Sequence, residues 1–181
     1  AFYRKYWYKY INKQTTFLIA LISRCYMMYQ NPPMANRMFN LLKQIWQDRD
    51  LIIIEGEKSR LGVNNDLFNN SKSIKRILSP NRNAFNYYRP ILEKVTQYDK
   101  TKYLILLALG PTATIMAYDL AKLGYQAIDI GHVDIEYEWF LMKATHKVPV
   151  HNKFVNEAGA GVGVGLCNDQ VYLSQIISKI G

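Results

Sequence analysis

Two acidic side chains, Asp134 and Glu136, stand two positions apart after a short apolar segment and a glycine. If both carboxylates faced one point, they could bind Mn²⁺ or Mg²⁺, which prefer oxygen ligands and share their coordination shell with substrate phosphates. His132 and Glu138 are close by in the sequence, as candidates for a further ligand and for an acid or base. The alternative is the first turn of a helix, where acidic residues complement the helix dipole. The spacing alone leaves both interpretations open.

A second candidate is the turn formed by Gly110, Pro111 and Thr112, which joins a predicted strand to a predicted helix. Glycine lets a ligand approach the backbone, and the N–H groups of a first helical turn favour a phosphate. The alternative is an ordinary strand-to-helix turn with proline in its first turn.

A third polar cluster follows the first predicted strand. Arg60 could pair bidentately with a phosphate, and Asn65 and Asp66 could bind the hydroxyl groups of a ribose or a sugar. Glu57 and Glu138 are candidates for the general acid or general base. The alternative for this cluster is a turn-rich loop with surface salt bridges.

The elements that must position these residues are best defined between residues 102 and 131, which read as strand, turn, helix and strand. Such a βαβ unit implies parallel strands and a right-handed crossover. Strands are predicted at 51–54, 74–78, 103–109 and 127–130, and helices at 38–46, 83–95, 114–123, 137–145 and 169–179. The prediction is an α/β fold with helices on both faces of a mostly parallel sheet, and ligands bind such sheets beyond the carboxyl ends of the strands. Residues 159–165, with glycine at every second position, predict a mobile loop that could cover a substrate.

Composition sets the class of protein. With 49% hydrophobic and 20% charged residues, the chain of 181 residues is globular rather than disordered. Its net charge of +9 favours anionic partners. Most of that charge lies in the first 50 residues, which are also rich in aromatic side chains, so this basic segment could lie on a membrane surface, stack on nucleic acid, or dock on the fold as an amphipathic helix. Two cysteines are too few for a disulfide scaffold or a structural zinc site, which favours the cytoplasm.

Four blocks of the sequence resemble the GT-D-type glycosyltransferases, a bacterial family of glycan and adhesin glycosylation. The blocks are residues 54–68, 109–121, 129–140 and 153–157. The segment Ser23-Arg24-Cys25-Tyr26-Met27 is similar to a Ser-Arg-Pro-Tyr-Met segment of the family, with Cys25 in place of proline, and Asn64 stands where a glycine is common. The family's upstream Gly-Asp-Gly-Glu motif is not found, so we expect the chain to begin within the family's domain.

The resemblance implies a single Rossmann-like domain over residues 1–181, with a basic aromatic segment at 1–35, a core at 36–157, and a glycine-rich loop and C-terminal helix at 158–181. It implies transfer of a sugar, often glucose, from a UDP-sugar to a glycan or glycoprotein acceptor. The expected site residues are Asp134 and Glu136 for Mn²⁺ or Mg²⁺, Glu57 and Glu138 for catalysis, and Arg60, Asn65, Asp66, Gly110, Pro111 and Thr112 for the nucleotide-sugar.

Two other functions stay open. The missing upstream motif would suit a non-catalytic remnant that acts as a partner subunit in a glycosylation complex. A basic nucleic-acid-binding domain is disfavoured, because the acidic residues around Asp134 would repel phosphate in the absence of a cation.

Overall fold

The computed structural model describes Gln14 and residues 21–181. Within these residues, five strands form one sheet in the order β4-β3-β1-β2-β5, and every neighbouring pair is parallel. The strands are β1 (Asp50–Gly56), β2 (Ser73–Ser79), β3 (Tyr103–Ala108), β4 (Gln126–Asp129) and β5 (Ile176–Lys179). The predicted parallel α/β fold is therefore confirmed, and each of the four predicted strands overlaps one of β1 to β4.

The described helices connect and cover these strands. They are α1 (Pro32–Trp46), α2 (Tyr88–Val95), α3 (Pro111–Lys122), α4 (Val133–Leu141) and α5 (Gln170–Gln175), with short 3₁₀ turns at Ala84–Tyr87 and Gly159–Gly161. In this part of the chain, none of the helices is apolar over a length that would cross a bilayer. Residues 1–13 and 15–20 of the basic segment lie outside the described residues, so its predicted surface contact is not addressed there.

Each face of the sheet has its own apolar core, because successive side chains of a strand point to opposite faces. On one face, Leu51 and Ile53 of β1 pack with α1 and α4. On the other face, Ile52 and Ile54 of β1 pack with α2 and α3. This is why β1 and β3 read as uninterrupted apolar runs: both faces of their strands are covered.

Two helices begin earlier than the apolar pattern predicts. Helix α1 starts at Pro32 rather than at residue 38, since prolines at the first two positions need no N–H partner and the Asn31 side chain accepts a hydrogen bond from the N–H of Met34. Helix α4 starts at Val133, four residues before the predicted start. This second correction places Asp134 and Glu136 on the same helix as Glu138 rather than on a loop before it.

The C-terminal region departs from the predicted helix over 169–179. Helix α5 ends after six residues, and the chain continues as β5, which pairs with β2 and forms the edge of the sheet. This pairing satisfies backbone groups of β2 that would stay unpaired if residues 176–179 continued as a surface helix. Local sequence periodicity does not contain that information.

The chain path creates a crevice in the middle of the sheet. From β1 the chain moves to β2 on one side, and it returns through α2 to place β3 on the other side of β1. The strand order therefore reverses between β1 and β3. In open parallel sheets, ligands bind at the carboxyl ends of the strands where such a reversal occurs.

Candidate active site

A cavity of about 920 Å³ opens at this point, along the carboxyl ends of β1 to β4. Gly56 at the end of β1 and Asp129 at the end of β4 line this cavity. Residues of the segments 80–85, after β2, and 108–114, at and after the end of β3, line it as well. Residues 21–24 and 154–156 also line it. The polar turns that follow the apolar strands thus meet at one cavity.

The turn after β3 contributes the first turn of α3 to the cavity. Gly110, Pro111 and Thr112 all line it. Gly110 has a φ of +57°, which favours glycine, and a Cβ added there would meet nothing within 4 Å, so its backbone faces open space. The positive end of the α3 dipole is therefore exposed to a ligand.

The loop after β1 is held by a buried carboxylate. Glu55, fully buried on β1, accepts a hydrogen bond from the N–H of Leu61 at 2.8 Å and pairs with Arg76 of β2 at 2.6 Å. Leu61 and Ser59 line the cavity. Arg76 holds the Glu55 carboxylate in place, and the hydrogen bond from Leu61 to that carboxylate fixes where the loop crosses the end of the sheet.

Asp134 and Glu138 form a buried cluster with Asn65 and Lys153, which we call the Lys153 cluster. The Lys153 ammonium lies 2.8 Å from the Asp134 carboxylate and 2.8 Å from the Glu138 carboxylate. The Asn65 side-chain amide donates to the same two carboxylates, at 2.9 and 2.7 Å. Asp134 also accepts from the N–H of Gly62 at 2.8 Å. Of these four side chains, Asp134 is the one that reaches the cavity wall.

Glu136 points away from Asp134. Its carboxylate accepts hydrogen bonds from the N–H groups of Tyr26 and Met27 at 3.0 and 2.7 Å, and it lies 3.6 Å from Arg24. An α-helix turns by about 100° per residue, so side chains two apart diverge by about 200°, whereas side chains four apart share a face. The pair that converges is therefore Asp134 and Glu138, not Asp134 and Glu136.

The predicted ligand pair thus does not fit one cation as the side chains are arranged. Asp134 is occupied by Lys153, Asn65 and Gly62, and Glu136 is bound on the other side of α4. Among the described residues, no group of three His, Cys, Asp or Glu side chains is placed to hold a metal ion. The dependence on Mn²⁺ or Mg²⁺ stays a prediction from the resemblance.

The structure also places the other predicted residues. Arg60 is buried, and its guanidinium donates to the backbone carbonyls of Asn152 and Gly165, so it ties two loops together instead of facing the cavity. Asp66 lies outside the cavity, where its carboxylate accepts from Lys43 and from the Tyr137 hydroxyl. These contacts lower the pKa of Asp66.

Of the two predicted catalytic acids, neither is on the cavity wall. Glu57 is exposed on the loop after β1. Glu138 is 9% exposed and lies behind Asp134 in the Lys153 cluster.

Two charged residues that line the cavity, Asp129 and Arg24, are not among the predicted site residues. Asp129 is an acid at the end of an apolar strand, a pattern that the sequence does contain. The position of Arg24 is set by a residue far along the sequence, because its guanidinium forms a bidentate pair with Glu157 at 2.7 and 3.0 Å. His132, at the start of α4, also lines the cavity, and burial lowers its pKa, with a further contribution from Arg24.

The Arg24–Glu157 pair predicts an acid-sensitive contribution to stability. The hydrogen bonds from Arg24 lower the pKa of Glu157 from 4.5 to about 2, so the contribution is complete above pH 4.5 and is lost as the pH falls towards 2. After allowance for solvent screening, we expect wild type to lose about 1–2 kcal/mol more than Glu157→Gln between pH 5 and 2.5. Urea unfolding at several pH values measures this. Parallel pH profiles for the two proteins would contradict the assignment.

Known proteins can be matched to this chain by sequence. The family model for the glycosyltransferase GT-D fold matches residues 1–158. The chain belongs to the GT-D glycosyltransferase family. It is 45% identical over 159 residues to the probable glycosyl transferase Gly of Streptococcus gordonii, and 41% identical over 159 residues to the glycosyltransferase GlyD of Streptococcus pneumoniae. Each match covers 88% of this chain.

Solved structures share the GT-D fold over nearly the whole chain. A glycosyltransferase of the domain of unknown function 1792 from Streptococcus sanguinis is 40% identical, with a TM-score of 0.91 over 99% of this chain and 66% of that one. A second structure, described as a distinct glycosyltransferase fold of the same domain, is 42% identical, with a TM-score of 0.90 over 99% of this chain and 65% of that one. The GT-D fold implied by the sequence resemblance is thereby confirmed.

The GT-D match covers only part of the curated relatives. The chain spans 23% of the length of the Streptococcus gordonii protein and 19% of the Streptococcus pneumoniae protein.

Proposed function

We propose that this chain binds a UDP-sugar in the cavity and transfers the sugar, with glucose as the first candidate, to a hydroxyl group of a glycan or glycoprotein acceptor. One observation carries the proposal: the first turn of α3 opens into a cavity at the point where the strand order reverses. That position, in a GT-D family member, is suited to a nucleotide diphosphate.

The reaction forms a bond between the acceptor oxygen and C1 of the sugar, and it breaks the bond between C1 and the β-phosphate oxygen. The acceptor oxygen gives up its proton to water, and UDP leaves with the electron pair of the broken bond and additional negative charge. The first turn of α3 at Gly110 and Thr112 is placed to stabilise that charge, because the positive end of the helix dipole faces the cavity. Arg24 also lines the cavity, with its guanidinium paired to Glu157.

The Lys153 cluster supplies a fixed carboxylate on the side of the cavity that α4 forms. Asp134 lines the cavity, and its orientation is set by Lys153, Asn65 and the N–H of Gly62. A carboxylate held in this way can accept hydrogen bonds from sugar hydroxyl groups without rearranging. Glu138 is a positioning residue in this mechanism, because it acts on Asp134 through Lys153 and Asn65.

A divalent cation would neutralise diphosphate charge when bound. The two predicted ligands, Asp134 and Glu136, point in different directions, and the steps of transfer are assigned to groups of the protein. The predicted contact of the basic N-terminal segment with a membrane remains a prediction as well.

A turnover assay with UDP-glucose tests the proposal. We expect wild type to release UDP in the presence of a glycan acceptor, and Asp134→Asn to do so at least tenfold more slowly, since an amide accepts fewer hydrogen bonds and lacks the charge. Asp99→Asn is the matched control, because Asp99 is a surface residue that bonds to Thr101.

Binding of UDP without turnover of any UDP-sugar, across a panel of glycan acceptors, would favour the non-catalytic partner subunit instead. Equal rates for wild type and Asp134→Asn would contradict the role given to Asp134.

A further inference from the structure

We propose that Asp129 binds the ribose of the donor nucleotide by accepting hydrogen bonds from its two vicinal hydroxyl groups. The inference rests on the proposed function, because it assumes that a nucleotide occupies the cavity. It assigns a residue that determines specificity for a ribonucleotide.

The position of Asp129 in the sheet is the first argument. Asp129 is the last residue of β4, which pairs with β3 on the side away from β1. It lies opposite Leu107 of β3. Gly110, in the turn after β3, precedes Asp129 by nineteen residues. In parallel sheets that bind nucleotides, an acid at the end of the neighbouring strand, about 20 residues after the glycine turn, accepts a hydrogen bond from ribose.

The hydrogen bonds of Asp129 are the second argument. One carboxylate oxygen accepts from the N–H of Gly131 at 2.9 Å, and the other accepts from the Thr114 hydroxyl at 2.7 Å. A carboxylate offers about four acceptor positions, so each oxygen keeps one for a ligand. The two bonds hold the carboxylate in place, and both Asp129 and Thr114 line the cavity.

The charge of Asp129 is the third argument. No Lys, Arg or His of the described residues forms an ion pair with it. An unpaired carboxylate on a cavity wall favours hydroxyl donors and repels phosphate. The diol of a ribose therefore suits Asp129, and the diphosphate suits the first turn of α3.

The separation of these two groups fits the ligand. Thr114 bonds to Asp129 and lies on α3 about one turn after Pro111, so the carboxylate stands beside the first turn of the helix. In UDP the ribose is bonded directly to the diphosphate. The residues predicted for ribose, Asn65 and Asp66, do not offer this arrangement, since Asn65 is held in the Lys153 cluster and Asp66 is bound outside the cavity.

Calorimetric titration with UDP and with 2′-deoxy-UDP tests the inference. We expect wild type to bind UDP about 10- to 100-fold more tightly than 2′-deoxy-UDP, the usual effect of one hydrogen bond to a charged group. Asp129→Ala is expected to bind UDP no more tightly than wild type binds 2′-deoxy-UDP, with equal affinity for the two ligands. Asp119→Ala is the matched control, because its carboxylate accepts from Tyr88 and is not part of the cavity wall.

The outcomes separate the two proposals. If wild type binds neither ligand at millimolar concentration, the proposed function fails. If wild type binds both ligands equally, or if Asp129→Ala keeps the preference of wild type, the ribose assignment is overturned while nucleotide binding stands. Asp129→Asn retains an acceptor for the N–H of Gly131, so a reduced preference in this variant supports the assignment even if the alanine variant does not fold.

Discussion

Replacement of Lys153 by methionine is expected to lower the free energy of unfolding by about 3–5 kcal/mol, because it leaves two buried carboxylates without their cation. The Lys153 side chain is 1% exposed, and its ammonium lies 2.8 Å from both Asp134 and Glu138. Methionine fills much the same volume, so the lost charge accounts for the effect rather than a cavity. Urea unfolding at pH 7 measures the difference.

Lys147→Met is the matched control for this prediction. Lys147 pairs with Glu157 at 3.0 Å, but its side chain is 41% exposed. Exposed ion pairs contribute less than about 1 kcal/mol, so this variant should unfold almost as wild type does. Similar losses in the two variants would show that the Lys153 cluster is not the buried charge centre that its geometry indicates.

Replacement of Gly110 by valine is expected to weaken UDP binding at least 100-fold. Gly110 has a positive φ, so a β-branched residue there forces the turn to change, and its side chain would enter the space left open for the ligand. Both effects move the first turn of α3 away from the diphosphate. Calorimetric titration with UDP measures the affinity.

Gly124→Val separates backbone strain from ligand contact. Gly124 also has a positive φ, of +89°, but it follows the opposite end of α3, where an added Cβ meets the flexible Lys100 side chain. This variant should lose stability, as Gly110→Val does, and keep the UDP affinity of wild type. A comparable loss of affinity in both variants would place the effect in general destabilisation and not in the turn after β3.

The sheet could be predicted because its strands are covered on both faces. A strand such as β3 then carries apolar residues throughout, and the polar turn that follows it marks the edge where ligands bind. These grounds make the turn of Gly110, Pro111 and Thr112 a candidate ligand-binding element, with an ordinary strand-to-helix turn as the alternative, and the turn lines the cavity.

The geometry of the acidic residues could not be predicted from their spacing. Whether Asp134 and Glu136 converge depends on where α4 begins, and boundaries of elements are poorly defined by periodicity. The partner of Asp134 is Lys153, nineteen residues along the chain on an irregular segment, and only the folded chain brings them together. The same holds for Arg60, whose acceptors are backbone carbonyls that carry no sequence pattern.

A crystal structure of this chain with UDP tests the central claim most directly. The account predicts the diphosphate within hydrogen-bonding distance of the first turn of α3 and the ribose hydroxyl groups on Asp129. A nucleotide bound instead in another cavity of the described residues, of about 430 Å³ and lined by Phe68, Arg76 and Tyr172, would contradict it.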